Sequence, residues 1–161
     1  MERPNNYAFI DSQNLYRGVK RMGWKLDWAR FRIYLREKYH VTVAYLFIGY
    51  IPENASLYAG LQRAGFVLIF KPILRDENGY AKGNVDADLV LQAALSFELY
   101  TQAVIVSSDG DYYSLVQHLY KSNKLCCVIS PEPATCSVLI KKTAKERLVF
   151  LDTLRHRLEQ K

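Results

Sequence analysis

Long apolar runs are what this chain most plainly lacks. None approaches the ~20 residues that a membrane-spanning helix needs, which excludes a span. Cysteine is scarce too. Cys126 and Cys127 are adjacent and Cys136 stands apart, a pattern that fits neither a disulfide framework nor zinc-ligand spacing, so all three are expected to be reduced packing residues. A catalytic thiol would need a base beside it, and the nearest histidine in sequence, His118, sits mid-helix among apolar neighbours. No Gly-x-Gly-x-x-Gly follows the first apolar strand, which argues against a dinucleotide cofactor. The start, Met1-Glu2-Arg3-Pro4-Asn5-Asn6, lacks the charged-then-apolar pattern of a secretion signal, and a cytoplasmic location is expected. Repeats, low-complexity tracts and linkers are missing as well. With 161 residues, half of them apolar, the chain reads as one domain over 1–161 with a core large enough to need no staples.

Acid is scarcer than base. Sixteen Asp and Glu stand against 22 Lys and Arg, giving a net charge of +6 and a pI near 9.2, which points to a polyanionic partner. The excess is concentrated between Arg17 and Lys38, where Arg17, Lys20, Arg21, Lys25, Arg30, Arg32, Arg36 and Lys38 face only Asp27 and Glu37. A second basic run, Lys141, Lys142, Lys145 and Arg147, lies near the end. Either run is also compatible with a merely solvated helix face.

Helical and extended patterns alternate along the chain. Tyr7-Ala8-Phe9-Ile10 reads as a strand; 12–22 as a helix ended by Gly23; 28–39 as a helix capped by Asp27; and 41–48 as a buried strand. A helix to Ala64 with Leu57, Tyr58 and Leu61 inward, a strand over 66–74 and a turn over 76–79 come next. A helix over 85–100, a strand over 103–106, a helix over 111–123 and a strand over 125–129 follow. The end reads as a short helix over 135–143, an edge strand over 147–151 and a terminal helix over 153–161. Such alternation predicts an α/β three-layer helix-sheet-helix sandwich around a mostly parallel sheet.

Three acidic clusters open where these elements end. Asp11 closes the first strand, Asp86 and Asp88 open a helix, and Asp109-Gly110-Asp111 follows Val104-Ile105-Val106-Ser107-Ser108. Asp is also a good helix cap, so Asp111 could cap its helix while Asp109 is merely solvated. Several carboxylates gathered in one place repel each other unless a cation joins them, and hard oxygen ligands suit Mg²⁺ or Mn²⁺. At ~100° per residue Asp86 and Asp88 point roughly 200° apart, so Asp86 is the expected participant and Asp88 its reserve.

Ile10-Asp11-Ser12-Gln13-Asn14-Leu15, Lys82-Gly83-Asn84-Val85-Asp86 and Ser107-Ser108-Asp109-Gly110-Asp111-Tyr112 resemble, in order, the three motifs of NYN domains of the LabA-like group in the PIN-like nuclease superfamily. The resemblance implies a sheet of order 3-2-1-4-5 and a metal-dependent ribonuclease, cutting internally in preference to from an end. The alternative it implies is a PIN-like RNA-binding module with weakened or lost catalysis. It places Asp11, Asp86, Asp109, Asp111 and Asn14 in the catalytic site, with the four aspartates holding Mg²⁺ or Mn²⁺. Ser12 stands where the family motif has glycine, and Gln92 where a further acid often follows.

For RNA, expected single-stranded, the candidate contacts are Lys82, Ser107, Ser108, Arg17 and Lys20, with Tyr16, Tyr112 and Tyr113 as base-stacking rings. No membrane partner is expected, and self-association into a homodimer is compatible with this reading. Two other metal-linked classes fit less well. An aspartyl-phosphate hydrolase wants an acid at 13, where Gln13 stands, and a Toprim domain wants glutamate at Asp11.

Overall fold

Period-two burial along the short apolar runs decides the architecture. Ala8, Ile10, Val104 and Val106 enter one core, whereas Phe9, Ala103 and Ile105 enter another on the opposite side of the same strands. A sheet buried on both faces must carry helices on both, which is the parallel, crossover-connected arrangement. The computed structural model describes residues 3–75, 77, 78, 81, 82 and 85–161, with the side chains of Arg75, Ala81 and Lys82 outside that set.

The main sheet contains β1 (Asn6–Asp11), β2 (Val41–Tyr50), β3 (Phe66–Pro72), β6 (Ala103–Val106), β7 (Leu125–Ser130) and β8 (Leu148–Phe150). Their spatial order is β3-β2-β1-β6-β7-β8 and every pair is parallel. Counted among sheet strands alone this is 3-2-1-4-5 with a sixth strand at the edge. Between β3 and the next helix a small antiparallel hairpin pairs β4 (Leu74–Arg75) with β5 (Ala81–Lys82), so the expected single strand over 66–74 is divided. Of the turn expected over 76–79, residues 77 and 78 are in a turn, and 76 and 79 lie outside the described residues.

Helices α1 (Ser12–Arg21), α2 (Trp28–Tyr39) and α3 (Ala55–Ala64) cover one face through Leu15, Val19, Phe31, Leu35 and Leu61. Helices α4 (Asp86–Leu95), α5 (Tyr113–Lys121) and α6 (Val138–Ala144) cover the other through Leu89, Ala93, Leu115, Val116, Leu119 and Ile140. Asp27 caps α2 by accepting the Arg30 N–H at 3.1 Å, as its position before Trp28 predicts. Among the described residues no helix is long and apolar enough to cross a membrane.

Several boundaries differ from the periodic reading. Helix α4 ends at Leu95, short of the expected Tyr100, and the chain turns there with the Leu99 N–H donating to the Ser96 carbonyl. Leu57 faces outward at 46% exposure, leaving Tyr58 and Leu61 as the buried residues of α3. The expected terminal helix is only α7 (Arg155–Leu158), after which Glu159 bridges to Leu26 and Gln160 donates its N–H to Lys25. Cys126 occupies the irregularity between the pairs Ala103–Leu125 and Val104–Cys127. The three thiols are free, with Cys127 and Cys136 buried.

Strand order reverses on either side of β1. The carboxyl ends of β1 and β6 therefore diverge into a crevice, the place where open α/β sheets hold ligands.

Candidate metal centre and adjoining groove

Asp11 is the last residue of β1, in register with Phe47 of β2, and it is buried at 6% exposure. Its extended backbone makes it the N-cap of α1, and its Oδ1 accepts the Asn14 N–H at 3.2 Å. The Asn14 side chain then crosses to the next strand end. Its Oδ1 accepts both the Ser108 N–H at 2.9 Å and the Ser108 hydroxyl at 3.1 Å. Asn14 thus ties the ends of β1 and β6 together.

After β6 the chain makes a 3₁₀ turn over Gly110–Tyr112. Ser107 Oγ accepts the Asp109 N–H at 3.1 Å, and Asp109 Oδ1 accepts the Asp111 N–H at 2.9 Å. Asp109 is therefore the cap and Asp111 the exposed acid, the reverse of the capping alternative read from sequence. Close packing holds this turn. A Cβ at Gly110 would lie 2.5 Å from Ser137 Oγ, and the Ser137 N–H donates to the Ser108 carbonyl at 3.1 Å.

The third contribution comes from the first turn of α4, whose N-terminus lies at the same rim because the helix runs back against the parallel strands. One carboxylate oxygen from each of Asp86, Asp109 and Asp111 lies within 4.8 Å of the others. Asp88 turns away, as the helical geometry predicts, and pairs with Lys71 at 3.8 Å. Gln92 donates to Ser96 Oγ at 3.0 Å, about 9 Å along the helix from Asp86 at ~1.5 Å per residue. The absent family acid at that place is thus remote from the three-carboxylate group.

Asp11 stands outside that group and is joined to it by Tyr112, whose hydroxyl lies 2.7 Å from Asp86 Oδ1 and 3.1 Å from Asp11 Oδ2. The Tyr112 ring is wholly buried, so the expected base-stacking role fails. Its spacing to Leu115, Val116 and Leu119 was the available signal, since it puts the ring on the core face of the helix, where a hydroxyl needs a partner. Ser137 was missed entirely, and nothing in its sequence neighbourhood marks it.

Burial pushes the Asp11 carboxyl above its ordinary 3.8, against the hydrogen bonds from Asn14 and Tyr112, which pull it down. The negative charges of Asp86 and Asp109 add to the upward push. Asp86 is raised for the same first reason, with Tyr112 opposing and Asp109 and Asp111 reinforcing. A single hydroxyl hydrogen cannot serve two carboxylates at once. The shorter contact favours Asp86 as the acceptor, with Asp11 Oδ2 the alternative acceptor at 3.1 Å. Among the described residues neither Asp109 nor Asp111 has a Lys or Arg at ion-pair distance. Three converging carboxylates of this kind fit a hard divalent cation, and the donor set contains no soft ligand.

Ser107 and Ser108 are buried, with their hydroxyls used inside the protein, so the RNA contact expected of them is not available. The side chain of Lys82, and Gly83 and Asn84, lie outside the described residues. Arg17 and Tyr16 line a groove of about 1160 Å³ that starts at Asp11, Asp86 and Asp109. Lys20 lies outside its lining, with its ammonium 5.8 Å from the Tyr16 ring centre. Tyr113 remains 43% exposed beside the acidic turn.

The family model of the NYN domain matches residues 7–150. The low amplitude and bright protein LabA of Synechococcus elongatus is 24% identical over 98% of this chain and 90% of its own length. A crystal structure of a protein of unknown function from Vibrio parahaemolyticus superposes with a TM-score of 0.77. It is 23% identical, and the match covers 94% of this chain and 96% of that one, a likeness of fold.

Proposed function

Because the chain belongs to the NYN domain family, a nuclease-like group, we propose that it is a divalent-metal-dependent nuclease hydrolysing phosphodiester bonds in RNA. It acts as a single domain and cuts internally. The observation that carries this reading is the gathering of Asp86, Asp109 and Asp111 from two distant segments within 4.8 Å, at the crevice where the strand order reverses. The family and the acidic group support a cation at this place; Mg²⁺ and Mn²⁺ are the ions whose ligand preference matches.

Asp86, Asp109 and Asp111 would hold the ion. Bound there, it would supply charge neutralisation at the phosphodiester oxygens and lower the pKa of a bound water. Asp11, buried behind the group, would position Asp86 through the Tyr112 hydroxyl that lies between the two carboxylates. Asn14 fixes the spacing of the two strand ends and thereby the position of the Asp109 turn. The free cysteines accord with a reducing, cytoplasmic setting.

The test is cleavage of a fluorescent single-stranded RNA with Mn²⁺ or Mg²⁺ by wild type, Asp86→Asn and Asp111→Asn. Cutting by wild type that both substitutions abolish is expected. A wild type that binds the RNA and leaves it intact with either ion would overturn the enzymatic reading in favour of a binding module.

A further inference from the structure

The acidic group occupies one end of a much longer depression. The groove runs from Asp11 and Asp109 along α1 to Lys25 and Trp28, with Leu57 of α3 in its wall. Its volume of about 1160 Å³ exceeds the ~300–1000 Å³ of a pocket for one small ligand. Charge is segregated along it. At one end lie the carboxylates; beyond them Arg17, Arg21 and Lys25 line the groove. The only acid among them is Asp27, already occupied by the Arg30 N–H at 3.1 Å and the Arg30 guanidinium at 3.5 Å. Arg21 is held loosely by Glu132 at 3.8 Å, and among the described residues neither Arg17 nor Lys25 has a carboxylate at ion-pair distance.

Interleaved with these cations is apolar and aromatic surface. Tyr16 is 50% exposed and Leu57 46%, both on the groove. A row of cations spaced along a channel suits a phosphate backbone, and exposed rings between them suit unpaired bases, which have π-faces that a duplex hides. A peptide would match the apolar wall but has no need of three cations in a row. A metabolite would leave most of the groove empty.

We propose that this groove seats the RNA segment lying to one side of the cleavage point, as a single strand, with Arg21 and Lys25 on phosphates and Tyr16 against a base. The proposal rests on the nuclease reading for the position of the cleaved bond, and adds to it the track by which the strand reaches the acids. It also gives Arg21, Lys25 and Leu57, none of them in the sequence-based contact set, a place in substrate recognition.

The experiment separates the two readings. Fluorescence anisotropy of a fluorescein-labelled oligouridylate of about a dozen nucleotides is measured in EDTA, so that binding depends on neither metal nor cutting. In Arg21→Ala/Lys25→Ala the slope of log affinity against log salt should flatten by about 1.4, at ~0.7 per phosphate-neutralising charge on a single strand. Tyr16→Ala should weaken binding on the order of tenfold. Lys141→Ala/Lys142→Ala, on α6 across the sheet, should leave the slope unchanged.

Hydrolysis of bis(p-nitrophenyl) phosphate with Mn²⁺, a diester too small to use the groove, is measured on wild type, so that the nuclease reading is tested apart from the groove. No binding by wild type, an unchanged slope in Arg21→Ala/Lys25→Ala, or equal affinity for a duplex of the same length would overturn the groove assignment. Intact binding by wild type that fails to hydrolyse the small diester or RNA with any divalent ion would leave the track standing and remove the nuclease.

Discussion

Tyr112→Phe isolates one hydroxyl. The ring is fully buried and phenylalanine fills nearly the same volume, so core packing is retained while the contacts to Asp86 Oδ1 at 2.7 Å and Asp11 Oδ2 at 3.1 Å are lost. A hydrogen bond to a charged group contributes ~1.5–3 kcal/mol, and in a domain of this size each kcal/mol moves Tm by ~2–4 °C. The metal-free variant should therefore melt about 3–12 °C below wild type. A group that aims a ligand from behind typically governs ~10–100-fold in metal affinity, so Mn²⁺ binding should weaken by that order. Differential scanning fluorimetry gives the first quantity and Mn²⁺ titration followed by electron paramagnetic resonance the second. An unchanged Tm together with unchanged Mn²⁺ affinity refutes the claim that this hydroxyl organises the acids. A lower Tm with unchanged affinity makes it a folding contact only.

Saturation to about a hundred times Kd with Mn²⁺ should raise the wild-type Tm by about 5–11 °C, since such a ligand adds ~2.7 kcal/mol to the native state. Asp111→Asn, at an exposed position, should melt normally and lose that rise; an equal rise in the variant would move the ion elsewhere. The raised pKa values of Asp11 and Asp86 make the metal-free fold pH-dependent. In the window above the unfolded value of 3.8 the folded protein still holds protons that the unfolded chain has released, so stability should fall as pH rises through the folded-state values. Melting curves that rise instead across this window would contradict the assignment. Gly110→Ala should push Ser137 and the turn carrying both acids, costing ~1–3 kcal/mol and the Mn²⁺-induced rise in Tm. Adding Ser137→Gly removes the obstructing atoms at a helix cap where glycine costs only a few tenths of a kcal/mol. The double variant should recover the Mn²⁺ response, and failure to recover it would locate the damage elsewhere.

The sheet was legible because its strands are short, β-branched and buried on both faces, and because each helix covering it announces its inward stripe. Boundaries were legible only where chemistry marks them. Asp27 and Gly65 bracket their helices as expected, the latter with a φ of 107° that favours glycine. Helix α4 carries no such mark at its end, and Leu91, Leu95 and Leu99, apolar residues at helical spacing, stand 57%, 72% and 62% exposed. Periodicity counts an apolar residue whether or not anything covers it. The same fault turned Leu57 inward in the reading, whereas in the fold it faces the groove.

The acids were legible for a different reason. A carboxylate at the end of a buried strand is costly unless something uses it, and three such places in one chain limit the explanations. Which atoms meet is decided by tertiary contacts that leave little trace in a linear pattern. Asp109, and not Asp111 as in the capping alternative, is the cap because the 3₁₀ turn points the Asp111 N–H back at Asp109 Oδ1. Tyr112 joins Asp11 to Asp86 across 101 and 26 residues of chain. Without that hydroxyl the helix and the strand would present two mutually repelling acids. With it, one hydroxyl lies between them, and the exposed Asp111 would be the charge that an incoming cation first meets. The order of events this implies is that Asp111 would meet the ion at the surface, with Asp109 and Asp86 engaged afterwards. In that case Asp111→Asn should slow Mn²⁺ association, whereas Tyr112→Phe should change chiefly its dissociation. Stopped-flow traces in which both variants alter the same rate would refute that order.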